Sequence, residues 1–235
     1  WQSIFIFLAL YAVLSMIMVS KVLPETIKKN MLTPFSLTSI VSRYKLLLSN
    51  KEFILLVLSV SANFSAFFIY VLASPVFLID HLGFTSQQFG YLFVPTVIGM
   101  MTGSLIAKKS AGIISPSRLL RNGYYWMAII VSLNTLFCFF YDNNPIINIG
   151  LVAFYNIGMA AVMPVISIAA LDQFTKMRGT AASGQAFMQM LFSSIVAGIF
   201  VPILWFSTLG LSLGLLFLLY IGFFTITRTN LWKSV

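Results

Sequence analysis

With 235 residues, 60 % of them hydrophobic and only 8 % charged, the chain lies far from the composition of a soluble domain, in which about a quarter of residues are charged. Its solvent is a membrane, and the size rules of water-soluble domains do not apply. A net charge of +9 would suit a polyanion, but all 14 Lys and Arg fall into four clusters: Lys21–Lys51, Lys108–Arg121, Lys176–Arg178 and Arg228–Lys233. The connections between these clusters, around Asp80, Asp142 and Ser207, contain no cation. That asymmetry predicts basic connections on the cytoplasmic side and excludes nucleic acid as a partner.

In chain order, the first apolar run is Ile4–Val19, ending at Lys21-Val22-Leu23-Pro24-Glu25-Thr26. Trp1 opens the chain with no charged segment and cleavage site before this run, so no signal peptide is expected. A first helix that enters from outside reads as the middle of a longer protein. A polar linker follows to Lys51. Within it Leu37, Ile40, Val41, Tyr44 and Leu48 recur at helical spacing, with Arg43 and Lys45 off the stripe, which reads either as an amphipathic helix on the inner leaflet or as a solvated tether.

The second and third spans, Phe53–Ala73 and Phe89–Ala107, are uncharged and about twenty residues long, enough for a hydrocarbon core of roughly 30 Å. They form a hairpin about the polar link 80–87. In lipid each backbone amide must be satisfied within its segment, so these runs are helices. Pro95 is expected to kink the third span, and Gly99-x-x-x-Gly103 to allow close helix contact. A fourth span, Tyr124–Phe140, precedes the turn Asp142-Asn143-Asn144-Pro145. The fifth, Ile146–Leu171, carries Gly150, Gly158 and Pro164. The sixth is Thr180–Trp205, and the seventh, Leu209–Thr227, opens with Gly210-x-x-x-Gly214. The expected fold is an all-α membrane protein of seven transmembrane helices, with its N-terminus outside and its C-terminus cytoplasmic.

The chemistry of an enzyme is not legible. His81 stands in an external link beside Asp80, no His, Cys or carboxylate cluster has metal spacing, and no Ser or Cys has a base partner. Cys138 lies in an apolar run, where packing is its expected role. No phosphate-cradling glycine loop and no cofactor is indicated. The informative residues are uncharged polar side chains at membrane depth. Asn63 shares a helical face with Phe67 and Tyr70, Tyr155 and Asn156 lie in the fifth span, and Gln185 and Gln189 are one turn apart in the sixth, continued by Phe192 and Ser193. Amides are costly in lipid and must face other helices or a watery cavity. Interhelical hydrogen bonds account for them as well as cavity lining does; Asn134 and Asn148 read as structural or interfacial. No Asp, Glu, Lys or Arg lies within a span, so a titrating carboxylate for proton-driven transport is not expected in this chain.

Several motifs occur together in one family. Leu23-Pro24-Glu25-Thr26 before a long linker resembles the end of the sixth helix of major facilitator drug transporters. Tyr70-Val71-Leu72-Ala73-Ser74-Pro75-Val76-Phe77, followed by Gly83-Phe84 and Phe89-Gly90, is similar to the seventh helix of the bicyclomycin/chloramphenicol-resistance subgroup of drug:proton antiporters. Arg178-Gly179-Thr180-Ala181-Ala182-Ser183, with Gln189 downstream, resembles that subgroup's entry to the eleventh helix, and Pro164 fits the tenth. One departure is in the superfamily's basic-loop motif: Gly103 is followed by Ala107, Lys108 and Lys109, so its carboxylate is missing.

The resemblance implies that the seven spans are family helices six to twelve. Residues 1–20 would close an N-terminal bundle otherwise absent from this sequence, 21–51 would be a cytoplasmic linker, and 52–235 would be the C-terminal six-helix bundle. In that fold two bundles rock about a central cavity. The second, third, fifth and sixth spans would line it; the first, fourth and seventh would be peripheral. Asn63, Phe67, Tyr70, Asn156, Gln185 and Gln189 would contact a small-molecule substrate. The implied activity is proton-coupled multidrug efflux across the inner membrane, with coupling residues outside this chain. A metabolite exporter of the same fold is the alternative; a seven-helix receptor is disfavoured by the missing external cysteine pair and mid-membrane lysine.

Overall fold

The computed structural model describes residues 2–22, 36–140 and 144–233. Its contacts divide the chain into two units, Trp1–Val41 and Ser42–Val235. In the first unit, α1 (Gln2–Val22) buries none of its residues and is apolar on every side, as a helix solvated by lipid or by other apolar helices must be. The Leu23-Pro24-Glu25-Thr26 motif lies outside the described residues.

Helix α2 (Leu37–Ser49) carries the boundary between the units. The helix forms where the sequence puts it, and the face it turns to the unit lies beside the apolar stripe. Leu47 is buried, whereas Val41 is 66 % and Leu48 59 % exposed. The reason is a notch in the sixth span: a Cβ on Gly184 would stand 2.8 Å from Leu47 Cδ1. Tyr44 Oη and Ser183 Oγ, 3.0 Å apart, fix the same contact.

The second unit holds six of the seven described helices that are long and apolar enough to cross a bilayer. They are α3 (Lys51–Leu72), α4 (Gly90–Ser110), α5 (Pro116–Phe140), α6 (Pro145–Asp172), α7 (Arg178–Ile195, prolonged by a π turn, Val196–Phe200, and α8, Val201–Leu204) and α9 (Thr208–Thr227). The expected all-α, seven-span class is thus observed. Helix starts follow local chemistry. Asn50 accepts from Phe53 N at 2.9 Å, Asn144 from Ile146 N at 3.1 Å, and Ser207 from Gly210 N at 2.9 Å. Each satisfies an amide that the first turn leaves free. Asp142 and Asn143 of the expected turn lie outside the described residues. Pro95 and Pro164 are accommodated inside unbroken helices.

The second span runs further than its hydropathy implied. After Ala73 the chain continues through Ser74 and Pro75 into a π turn, Val76–His81, because Pro75 has no amide to donate. His81, read from sequence as an ordinary loop residue, is half-buried, and its Nε2 lies 2.7 Å from the Trp205 carbonyl. It ties the end of this turn to the end of α8. Thr85 and Gln88 then form a capping box that leads into α4.

Burial ranks the helices. In α3 and α6, 61 % and 56 % of the apolar window is covered, but only 22 % in α4 and 11 % in α7. The first pair are the axial helices of the unit; the second pair present most of their surface outward. Two glycines bring α4 onto α6. A Cβ at Gly99 would fall 2.3 Å from the Ala153 carbonyl, and one at Gly103 2.2 Å from that of Ile157. The small-xxx-small reading of this stretch is borne out. Gly123 and Gly158 join α5 to α6 similarly. At the end carrying the basic clusters, the short helix α10 (Asn230–Lys233) folds back over the unit. Asn230 N donates to Glu52 at 2.7 Å, and the Trp232 ring meets Tyr124, Tyr125 and Phe223 edge-on.

Gly103→Ala should therefore force α4 off α6 and cost about 1–3 kcal/mol, the usual penalty of overpacking. Gly150→Ala, whose Cβ would meet nothing within 4 Å, should leave the thermal unfolding midpoint in detergent unchanged or slightly raised. Equal midpoints for the two variants would contradict the seam.

Candidate functional site

The polar side chains inside the spans fall into two sets. The first is sealed between α3, α5 and α9. Tyr124 Oη is the acceptor for Asn63 Nδ2 at 2.6 Å and lies 2.6 Å from Ser59 Oγ, which also reaches the Gly222 carbonyl at 3.2 Å. Gly222 is part of the fit: a Cβ there would stand 3.0 Å from Asn63 Oδ1. Two turns along α3, Asn134 Nδ2 donates to Tyr70 Oη and to Ser212 Oγ, both at 3.0 Å, and Thr135 lies 2.8 Å from the same serine. Asn63 is 0 % and Tyr70 2 % exposed. Both side chains, expected from sequence to contact substrate, bond to α5 and α9 of their own unit. Asn134 has the structural role read for it.

The second set joins α7 to α2, α3 and α6. Ser65 and Ser193 hydroxyls are 2.9 Å apart, and Gln185 Nε2 donates to Ser167 Oγ at 3.0 Å. With the Tyr44–Ser183 contact, these bonds hold a helix that buries little apolar surface. Near its start Arg178 is ion-paired with Asp172. On this side of the unit Gln185 and Gln189 are half-buried, as are Met188 and Phe192 between and beyond them.

The side of α3 turned toward this region is aromatic. By helical periodicity Phe68 lies opposite Ser59, and its ring meets Phe64 at 4.6 Å and Phe67 at 5.6 Å between centroids. All three are half-buried. From α6, Met163 and Ser167 are likewise half-buried, one turn apart. Asn156, on the same stripe of α6, is 0 % exposed and donates back to the Val152 carbonyl at 2.9 Å. Its Oδ1, like the buried hydroxyl of Tyr155, has no partner among the described residues.

Of the six side chains expected at a site, Phe67, Gln185 and Gln189 are half-buried on α3 and α7, and Asn63, Tyr70 and Asn156 are buried. The sequence reading passed over Phe64, Phe68, Met163, Ser167 and Met188. Their signal was present as apolar or small residues at i, i+4, but it is indistinguishable from ordinary helix packing without knowing which face is open. Among the described residues no group of His, Cys, Asp or Glu could hold a metal.

The sequence profile described as "Major Facilitator Superfamily" matches residues 1–198. The chain belongs to the major facilitator superfamily. Among curated proteins it is similar to the "Bicyclomycin resistance protein homolog" of Haemophilus influenzae, 25 % identical over 197 residues that make up 78 % of this chain and 46 % of that protein. It also matches "Multidrug resistance protein MdtM" of Escherichia coli O157:H7, 27 % identical over 109 residues (46 % of this chain, 26 % of the relative). "Chloramphenicol resistance protein CraA" of Acinetobacter baumannii is 28 % identical over the same length and shares. The chain spans less than half the length of these relatives. The resemblance carried by the Tyr70–Phe77 and Arg178–Ser183 motifs is borne out at the level of family and subgroup. It is a multi-pass membrane protein of a transporter family, not an enzyme.

The sealed network generates a stability prediction. Tyr124→Phe removes the oxygen shared by Ser59 and Asn63 and should cost about 1 kcal/mol, the scale of interhelical hydrogen bonds in membranes. A lowered midpoint in denaturing-detergent titration checks it, and an unchanged midpoint would make the network incidental.

Proposed function

We propose that this chain supplies the C-terminal half of a drug-efflux transporter, one wall of a central cavity that binds small lipophilic or amphipathic compounds. The observation that carries the reading is a set of uncharged, half-buried aromatic, Met and amide side chains on α3 and α7: Phe64, Phe67, Phe68, Met188, Gln185 and Gln189. The antibiotic- and multidrug-resistance names of its relatives support it. In this reading Phe and Met make adaptable apolar contact, while Gln185, held by Ser167, and Gln189 orient polar groups of the solute. Asn63, Tyr70 and Asn156 act from below, fixing the helices that carry the wall.

Alternating access requires a second bundle, the N-terminal one, to which α1 would belong, with residues 21–51 as the linker. The described spans carry no Asp, Glu, Lys or Arg in their apolar centres, so in this reading proton coupling rests on residues outside this chain. The four basic clusters face the cytoplasm, which sets the N-terminus outside and the C-terminus inside across the inner membrane.

In the full-length protein, Gln189→Leu and Phe67→Ala should alter which members of a drug panel are resisted, by about tenfold for compounds that lose a hydrogen bond or an aromatic contact. Expression should stay unchanged, as should the unfolding midpoint of Gln189→Leu; Phe67→Ala should lower the midpoint, because its ring packs against the core. Susceptibility profiles in an efflux-deficient host measure this. Profiles identical to wild type across the panel would contradict the wall, and selectivity would then be set elsewhere.

A further inference from the structure

Helix α7 is weakly made where it begins. Met177 supplies no side-chain cap, and Gly179 stands in the first turn with nothing within 4 Å of where a Cβ would lie. A missing cap and a glycine without a packing role both disfavour helix locally. Of the 18 residues of α7 only Ala181 and Gly184 are buried. The cover over Gly184 comes from α2. The described atoms within 4 Å of a Cβ placed there, outside the backbone of α7 itself, are Leu47 Cδ1 at 2.8 Å and Tyr44 Cε1 at 3.8 Å.

The other end of α2 is fixed to the best-covered span. A single residue, Asn50, separates it from α3. Asn50 N donates to the Leu47 carbonyl at 3.2 Å, and its side chain caps α3 through Phe53 N at 2.9 Å. The segment from Tyr44 to Asn50 therefore runs from α3, with 61 % of its apolar window covered, to α7, with 11 %. It meets α7 along a narrow face: Leu47 is 1 % exposed, but its neighbours Leu46 and Leu48 are exposed. Tyr44 Oη and Ser183 Oγ close the contact. Gly184 differs here from the seam glycines of α4. Its neighbour is the far end of one flexible side chain, whereas Gly99 and Gly103 abut backbone carbonyls. The first contact can open by rotation of a leucine; the second opens only when a helix moves.

We propose that the segment Tyr44–Asn50 is a strap that holds the first turns of α7 to α3, and that α7 shifts only when Leu47 leaves the notch at Gly184. Gln185 and Gln189 lie one and five residues further along α7, so release of the strap would reposition both. What that movement serves rests on the efflux reading. The hold of α2 on α7 does not.

The test is amide hydrogen exchange, read by mass spectrometry on the full-length protein carrying this segment in mild detergent. In Leu47→Ala and in Gly184→Ala, exchange across 180–190 should rise by about tenfold, the signature of local opening, while 150–166 in α6 should exchange as in wild type. Alanine favours helix over glycine, so a rise in Gly184→Ala reports the lost contact and not a weaker helix. Leu48→Ala, on the exposed side of α2, should exchange as wild type throughout. In a Cys138→Ser background, oxidation of Leu47→Cys/Gly184→Cys should slow exchange across 180–190 and stop export of drugs that the reduced protein exports. Unchanged exchange in α7, or a rise spread evenly over α3, α6 and α7, would make Leu47 an ordinary core residue and overturn the strap. Undiminished export by the cross-linked protein would overturn the need for release. Absence of export by the reduced protein would contradict the efflux reading, and the exchange rates would still decide the strap.

Discussion

Hydrocarbon offers no hydrogen bonds, and that constraint organises the bundle. An amide or hydroxyl placed at membrane depth is costly unless protein answers it, and the answers made here decide which helices touch. Asn63, Ser59 and Tyr124 converge on one oxygen, Asn134 holds Tyr70 and Ser212, and these bonds set α3 against α5 and α9. Where no polar bond is available, removal of side chains does the work, as at Gly99 and Gly103, where the backbones of α4 and α6 meet. Individually such bonds are worth about 1 kcal/mol or less. Their number and their placement between specific helices make one packing preferable to others.

The same constraint explains why α7 differs. It buries little apolar surface and is held through Ser183, Gln185 and Ser193, each bonded to a different neighbour. A helix attached by a few directional bonds moves at less cost than one keyed in by glycine notches. The π turn at Val196–Phe200 lies just before Pro202, where the helix loses a donor.

Much of the architecture was legible because its signals are coarse. Hydropathy runs of about twenty residues, the charge clusters and the glycine spacing of α4 are properties of composition and period, and each maps directly onto an observed helix or seam. The finer assignments depended on which side of a helix is open, and sequence does not encode that. Asn63, Phe67 and Tyr70 share a stripe in projection, yet Asn63 and Tyr70 turn toward α5 and α9, and Phe67 packs with Phe68. On α2 the residue buried against the unit is Leu47, which fills a notch at Gly184 that lies far away in the sequence. His81 took a structural bond to Trp205 that no local pattern announces.

The account stands on a chain threaded so that its basic connections share one face of the membrane. Single cysteines placed in a Cys138→Ser background at Ser86, Lys109, Thr175 and Ser207 test this directly through labelling with a membrane-impermeant maleimide. Ser86→Cys and Ser207→Cys should label in intact cells, and Lys109→Cys and Thr175→Cys only after permeabilisation. Labelling of Ser86→Cys and Lys109→Cys from the same side would contradict the threading, and with it the assignment of these helices to half of a major facilitator bundle.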